Sequence, residues 1–292
     1  MLKKDNISFK NKLLSHRWRN FLYLENSLKS FSYILNKWIR FIEIDIRVSK
    51  DNKFYLLHDP FFYIWNKKYK ISNLNNININ WLDLLNDILL YFSKNKKFWQ
   101  IIAIDIKDYW YEKELYETFE KYNILDSVII FTWIPQTIFA FDKIFSSWKK
   151  EFPLYLSHVR TDSFLKFLWI PFILGLFKKF IVVKDFVLIW NWTYKKKLWK
   201  YAKWYRHISY FTKLPNDLIE ILKKYNWWIC VTKSFDFKDW LLKKYYKLWL
   251  KVTLFWAIFW LIKIKNKQTF LHEAKKYYLD IVFMDDVENI IS

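Results

Sequence analysis

The chain has 292 residues, 53% of them hydrophobic and 26% charged, with a formal net charge of +21. This composition excludes an intrinsically disordered chain, and the length admits a sizeable core. The one cysteine, Cys230, excludes an intramolecular disulfide framework.

Two counts are abnormal. Glycine occurs once where average usage of about 7% would give roughly 20, and tryptophan occurs 19 times. One glycine leaves almost no residue free to take positive φ in turns. The tryptophan excess matches the glycine deficit, so most of the tryptophans are expected to be glycines. Some bacterial lineages read UGA as glycine, and reading that codon as tryptophan produces this exchange. The basicity is discounted on similar grounds. Lys, Asn, Ile, Phe and Tyr are all abundant, and AT-rich codons favour all five, so the charge is read as a solvated surface. A basic, aromatic binder of single-stranded nucleic acid would leave the acidic strand residues described below unexplained, and no nucleic-acid partner is expected.

The first residues, MLKKDNISFKNKLL, are basic but lack the apolar core of about 7–15 residues and the cleavage site of a signal peptide, so a cytoplasmic location is expected. The apolar run "LLSHR" (13–17) then delivers His16 and Arg17, followed by Trp18 where a chain leaving a strand usually needs a small residue. The stretch 25–37 has helical character. "FIEIDI" (41–46) and "FYLLHD" (54–59) read as strands, and so do "IIAIDI" (101–106), "SVIIFT" (127–132) and "PLYLSH" (153–158). Helical character returns at 111–123. "FLKFLWIPFILGLFKKFIVV" (164–183) breaks the rhythm. Its uncharged part is too short for a bilayer span of about 20 residues. It reads as part of a hydrophobic insertion at about 164–211, or as a lipid-facing lip giving peripheral membrane contact. "ICVTK" (229–233), "KVTLF" (251–255) and "LDIVFM" (279–284) are further strands, with a helical stretch at 237–249.

Alternating strands and helices imply a parallel sheet with helical crossovers. About eight strands over 1–292 make a single α/β domain, a TIM-type (β/α)8 barrel, the leading architecture, ahead of an open doubly wound sheet.

Two strands carry charges on one face. Glu43, Asp45 and Arg47 alternate with Ile42, Ile44 and Ile46, and Asp105 and Lys107 alternate with Ile104 and Ile106. Strand side chains alternate between faces, and both faces of a parallel sheet are normally buried, so these carboxylates face a desolvation cost. A divalent cation held by Glu43, Asp45 and Asp105 offsets it, and hard oxygen ligands suit Mg²⁺ or Ca²⁺. His16 and His58 each end an apolar run, where barrel enzymes place catalytic groups, and two imidazoles can divide acid and base work. His158, His207 and His272 are read as structural. Arg17 and Lys107 are cations able to neutralise a phosphoryl group. Together these residues fit metal-assisted phosphodiester cleavage.

The order of these residues resembles the glycerophosphodiester phosphodiesterase family. Its signature runs His-Arg-Gly, Glu-Asn-Thr, Gly-Ala before Glu-x-Asp, Lys-Asp-Gly and His-Asp. Here stand His16-Arg17-Trp18, Glu25-Asn26-Ser27, Trp38 before Glu43-Ile44-Asp45, Lys50-Asp51-Asn52 and His58-Asp59. The strand "IDIK" is similar to the family's Ile-Glu-Ile-Lys, with Asp105 in place of glutamate, and "YYLDIVFMDD" (277–286) is similar to its last strand. The resemblance implies a barrel of the phospholipase C-like phosphodiesterase architecture that hydrolyses glycerophosphodiesters to glycerol 3-phosphate and an alcohol. It implies metal ligation by Glu43, Asp45 and Asp105, acid and base roles for His16 and His58, and phosphate contacts from Arg17 and Lys107. Glu25 would lie near the substrate glycerol or buttress the site. Asp105 is one methylene short of the family's glutamate, so the metal must lie closer to that strand or bind it through water. The family's tryptophan-containing seventh-strand motif stands here as "TLFW" (253–256). The rival readings are a lipid-active phosphodiesterase or phospholipase D on the same barrel, acting on a lysophospholipid-type substrate, and an inactive phosphate-binding barrel blocked by Trp18.

Overall fold

The computed structural model describes residues 11–16, 24–37, 39–64, 67–74, 82–132, 134–147, 150–160, 186–188, 208–211, 216–224, 228–232, 251–255 and 281–284. In chain order its first half holds β1 (Leu13–Ser15), α1 (Leu28–Leu35), β2 (Phe41–Val48), β3 (Phe54–Leu56), β4 (Phe61–Ile64), β5 (Lys67–Lys70), α2 (Leu85–Asn95), β6 (Ile101–Ile106) and α3 (Glu112–Lys121). There follow β7 (Val128–Thr132), α4 (Pro135–Ser147), β8 (Leu154–Arg160), β9 (Phe186–Leu188), β10 (Ile208–Phe211), α5 (Asn216–Lys224), β11 (Trp228–Thr232), β12 (Lys251–Phe255) and β13 (Ile281–Met284).

Eight of these strands form a closed parallel ring. The pairings run β1–β2–β6–β7–β8–β11–β12–β13 and return to β1, where Leu13 meets Val282 and Ser15 meets Met284. Closure removes both sheet edges, which an open sheet would leave exposed. The expected barrel is therefore the observed one.

One strand of the reading changes place. The run 54–59 was expected among the barrel strands. Instead β3 lies antiparallel on β2, with Ile46 opposite Leu56 and Val48 opposite Phe54. Only five residues separate β2 from β3, and a parallel neighbour needs a crossover of about a dozen or more. A short link permits only a hairpin. It turns through Asn52 at φ 61, with the Ser49 hydroxyl accepting from the Lys53 N–H at 3.1 Å. The short apolar stretch at Leu13–Ser15 supplies the remaining barrel strand.

The helical stretches at 25–37 and 111–123 contain α1 and α3. α1 starts where Ser27 and Ser30 cap it reciprocally, each hydroxyl accepting the other's backbone N–H at 3.2 Å. The stretch 237–249, the apolar segment 164–183 and residues Arg17, Trp18 and Trp38 lie outside the described residues. Of the insertion, β9 and β10 are described, parallel to each other, with β10 paired to the end of β8. Among the described residues, no helix is long and apolar enough to cross a membrane.

The faces of β2 separate two kinds of interior. Ile42, Ile44 and Ile46 pack outward in one cluster with Phe31 and Ile34 of α1 and Ile88 and Phe92 of α2. Inside the ring, Leu14, Phe41, Ala103, Ile129, Phe131, Tyr155 and Ile281 form a second cluster. Phe131 and Tyr155 stack there with ring centroids 4.3 Å apart. This apolar fill occupies the lumen, so the charged residues on the same strand faces gather towards the C-terminal ends of β2 and β6.

Glu112, in the first turn of α3, is buried and accepts a hydrogen bond from the Thr137 hydroxyl at 2.8 Å. Burial pushes its carboxyl above the usual range, and the bonds from Thr137 and nearby backbone N–H groups only partly oppose this. The unfolded chain thus ionises this group at lower pH than the folded chain does. Its contribution to stability is fully present in acid and is lost as pH rises through the carboxylate range to the raised value. Glu112→Gln keeps an acceptor for Thr137 and removes the charge. Thermal unfolding at pH 4 and pH 8 should show the variant gaining stability relative to the parent at the higher pH.

Candidate functional site

Strand register assembles the acidic cluster. Asp45 of β2 lies directly opposite Asp105 of β6, and Glu43 opposite Ala103. Paired residues on parallel strands share a face, and Glu43 is two residues before Asp45, so all three carboxylates enter the lumen. Each offers an oxygen within 4.8 Å of the others, and all three residues are buried. Charges taken this far from water are costly unless paired or coordinated. The Lys107 ammonium enters the cluster, 2.8 Å from Asp45 Oδ1 and 2.5 Å from Asp105 Oδ2. A divalent cation would offset the negative charge that such a group of carboxylates carries. The all-oxygen donor set also fits Mg²⁺ or Ca²⁺.

Asn26, in the turn before α1, braces this arrangement. Its amide Nδ2 donates to Asp45 Oδ2 at 2.9 Å, and its Oδ1 accepts the Asp45 backbone N–H at 3.0 Å. A backbone φ of 52 aims it there, in the left-handed region that asparagine tolerates well. Glu25, the residue singled out in this turn by the sequence, is solvent-exposed. Asn26 stands in the same Glu-Asn-Ser motif, where the sequence pattern by itself gives it no role.

His16 immediately follows β1 and is buried. The register Ser15↔Ile42 continued by one residue puts it alongside Glu43. His58 arrives differently. It follows the hairpin strand β3, not a strand of the ring, and is partly exposed, with Nδ1 2.7 Å from Asp59 Oδ1. Its backbone carbonyl accepts two hydrogen bonds from the buried Arg47, from Nε at 2.9 Å and Nη2 at 2.7 Å. Arg47 Nη1 lies 3.4 Å from Asp108 Oδ1, and Asp108 Oδ2 accepts the Val48 N–H at 3.0 Å. Arg47 is thus a further member of the site, foreshadowed by its place on the same strand face as Glu43 and Asp45. Asp108 had no pattern to announce it. His158 lies in β8, opposite Val231 of β11, while His207 and His272 are outside the described residues.

Of the expected residues, Glu43, Asp45, Asp105 and Lys107 come together in one cluster at the C-terminal ends of adjacent strands, with His16 at the end of β1. That is the end of the barrel where the βα loops can close over a ligand. The three carboxylates, the Lys107 ammonium and His16 lie towards that end.

Residues 15–152 match the family model described as the glycerophosphoryl diester phosphodiesterase family. No curated protein matches the chain significantly. Among solved structures, a glycerophosphodiester phosphodiesterase from Agrobacterium tumefaciens is 13% identical, with 97% of this chain and 100% of that one covered at a TM-score of 0.58. One from Thermotoga maritima is 16% identical, with 96% of both chains covered and a TM-score of 0.58. An Oleispira antarctica phosphodiesterase, solved in complex with the product sn-glycerol-3-phosphate, is 16% identical over 98% of this chain and 97% of that one, with a TM-score of 0.50. These likenesses show the fold, and the signature is in the matched segment. Residues 15–152 of the chain are thus similar in sequence to the glycerophosphoryl diester phosphodiesterase family.

Proposed function

We propose that the protein hydrolyses glycerophosphodiesters to glycerol 3-phosphate and an alcohol with the help of a divalent cation. The observation that carries this reading is the buried trio Glu43, Asp45 and Asp105, held in register at the C-terminal ends of adjacent barrel strands. The sn-glycerol-3-phosphate held by the Oleispira antarctica phosphodiesterase supports the substrate class.

In this reading Glu43, Asp45 and Asp105 hold Mg²⁺ or Ca²⁺, which when bound supplies charge stabilisation to the phosphoryl oxygens. Asn26 fixes the orientation of Asp45. His16 and His58 divide the proton work. One takes a proton from the hydroxyl of the attacking water as its oxygen bonds to phosphorus, and the other gives a proton to the alcohol oxygen that leaves. Lys107, already among the carboxylates, stands ready to meet the added negative charge of the phosphodiester. Arg17 follows His16 directly and is assigned to the phosphate, and Glu25 to the glycerol side.

Hydrolysis of glycerophosphocholine and glycerophosphoethanolamine is the test, with release of glycerol 3-phosphate as the readout. Activity should vanish in chelator and in Glu43→Ala and Asp45→Ala, and added Mg²⁺ or Ca²⁺ should raise the melting temperature of the parent but not of these variants. Turnover persisting in chelator would defeat the metal assignment. His16→Ala and His58→Ala should each lose about 10²–10⁴-fold in kcat, and losses below about tenfold in both would remove the acid–base pair. Faster turnover of lysophospholipid vesicles than of the soluble diesters would favour the lipid-active reading. The absence of turnover on any diester would favour a phosphate-binding barrel.

A further inference from the structure

We propose that Arg47 is a positioning residue that fixes His58 for proton transfer. The proposal rests on the acid–base reading of His58. Arg47 lies on the inward face of β2, two residues beyond Asp45, and is 2% exposed. Its Nε and Nη2 both donate to the His58 carbonyl, at 2.9 and 2.7 Å, a fork that a planar guanidinium can offer and an ammonium cannot. Asp108 holds the other side of the guanidinium and also accepts the Val48 N–H. Asp108 directly follows Lys107, so the clamp joins three parts of the site. These are the strand bearing Glu43 and Asp45, the segment bearing His58, and the loop bearing Lys107.

The clamp matters because of how His58 reaches the site. The last ladder pair of β3 is Leu56 with Ile46, and Leu57 N–H bonds to the Asp45 carbonyl at 3.2 Å. Beyond that point the chain leaves the sheet. The imidazole Nδ1 lies 2.7 Å from Oδ1 of the exposed Asp59. Arg47 therefore ties the His58 backbone to the barrel at the level of the carboxylates.

A double-mutant cycle tests this, using Arg47→Lys, His58→Ala and the pair together, with kcat and KM for a glycerophosphodiester and the Mg²⁺-induced rise in melting temperature. Arg47→Lys is expected to lower kcat about 10–100-fold, the range for a displaced catalytic group, with KM and the Mg²⁺ shift nearly unchanged. In the His58→Ala background the same substitution should cost less than about twofold. Multiplicative losses in the double variant, or loss of the Mg²⁺ shift in Arg47→Lys, would overturn the proposal while leaving His58 catalytic. If His58→Ala itself costs less than about tenfold, the reading of His58 fails, and the positioning role fails with it. Should Arg47→Lys not fold, Asp108→Asn, which keeps an acceptor for Val48, runs through the same cycle with the same outcomes.

A second inference rests on a separate observation. We infer that residue 110 is glycine in the protein as its own cell makes it, from a UGA codon. Four described residues other than glycine have positive φ: Asn26, Asn52, Asn123 and Trp110. Asparagine enters this region readily, but an indole-bearing residue at φ 84 is an outlier. Trp110 is 55% exposed, its ring tilted against that of Tyr109 with centroids 5.3 Å apart. The chain has 19 tryptophans and one glycine, and this is a described tryptophan whose backbone asks for the missing residue. Tandem mass spectrometry of the 108–113 peptide from the native source should show glycine, and tryptophan there would overturn the inference. In recombinant protein Trp110→Gly should melt higher than both the parent and Trp110→Ala. A variant no more stable than Trp110→Ala would remove the backbone argument.

Discussion

The pairing of Asp45 with Asp105 across two buried parallel strands is the constraint on which the rest of this site depends. Two carboxylates directly opposite one another repel, and burial strengthens the repulsion. Glu43 on the same face adds a third negative charge. Such a cluster persists only if neighbouring groups offset it. Lys107 supplies one positive charge between Asp45 and Asp105, and Asn26 satisfies both an oxygen and the backbone N–H of Asp45. A divalent cation would offset the remaining negative charge of such a cluster.

The barrel makes this concentration of charge tolerable by dividing its lumen. Phe41, Ala103, Ile129, Phe131 and Tyr155 fill the ring with apolar contacts. The same strands present acidic and basic groups further along, where the βα loops begin. Phe131, stacked on Tyr155, is the register partner of Asp105, so the carboxylates border an aromatic wall. That wall excludes water from one side of the cluster and strengthens its electrostatics. Arg47 and Asp108 extend the charged layer to the hairpin segment bearing His58, so one network of polar contacts joins β2, that segment and the loop after β6.

Much of this was readable from local pattern. Glu43, Asp45 and Arg47 alternate with isoleucines, and a period of two assigns them to one face without knowledge of any neighbour. Asp105 and Lys107 repeat the device. The stretch 25–37 shows the helical character of α1. Three features could not be read this way. The run 54–59 has the same apolar character whether it is a barrel strand or a hairpin, and only the short link from β2 excludes a parallel partner. The place of Lys107 between Asp105, two residues before it, and Asp45, on the neighbouring strand, depends on the pairing of the two strands. The role of Asn26 had no local pattern to show it, because which of two adjacent polar residues turns inward depends on the backbone φ of the turn.

By itself, the sequence determined the alternation of strands and helices, the family signature within residues 15–152 and the set of charged side chains sharing a strand face. It also set the imbalance of tryptophan over glycine. These are properties of short stretches, and short stretches obey fixed periods and capping rules. The tertiary structure decided the register that sets Asp45 against Asp105, the antiparallel course of β3, and the meeting of Arg47 with the His58 carbonyl and Asp108. Each of these joins residues brought together only when the ring closes and its strands fix their stagger. The distances that give the carboxylates their chemistry exist only then.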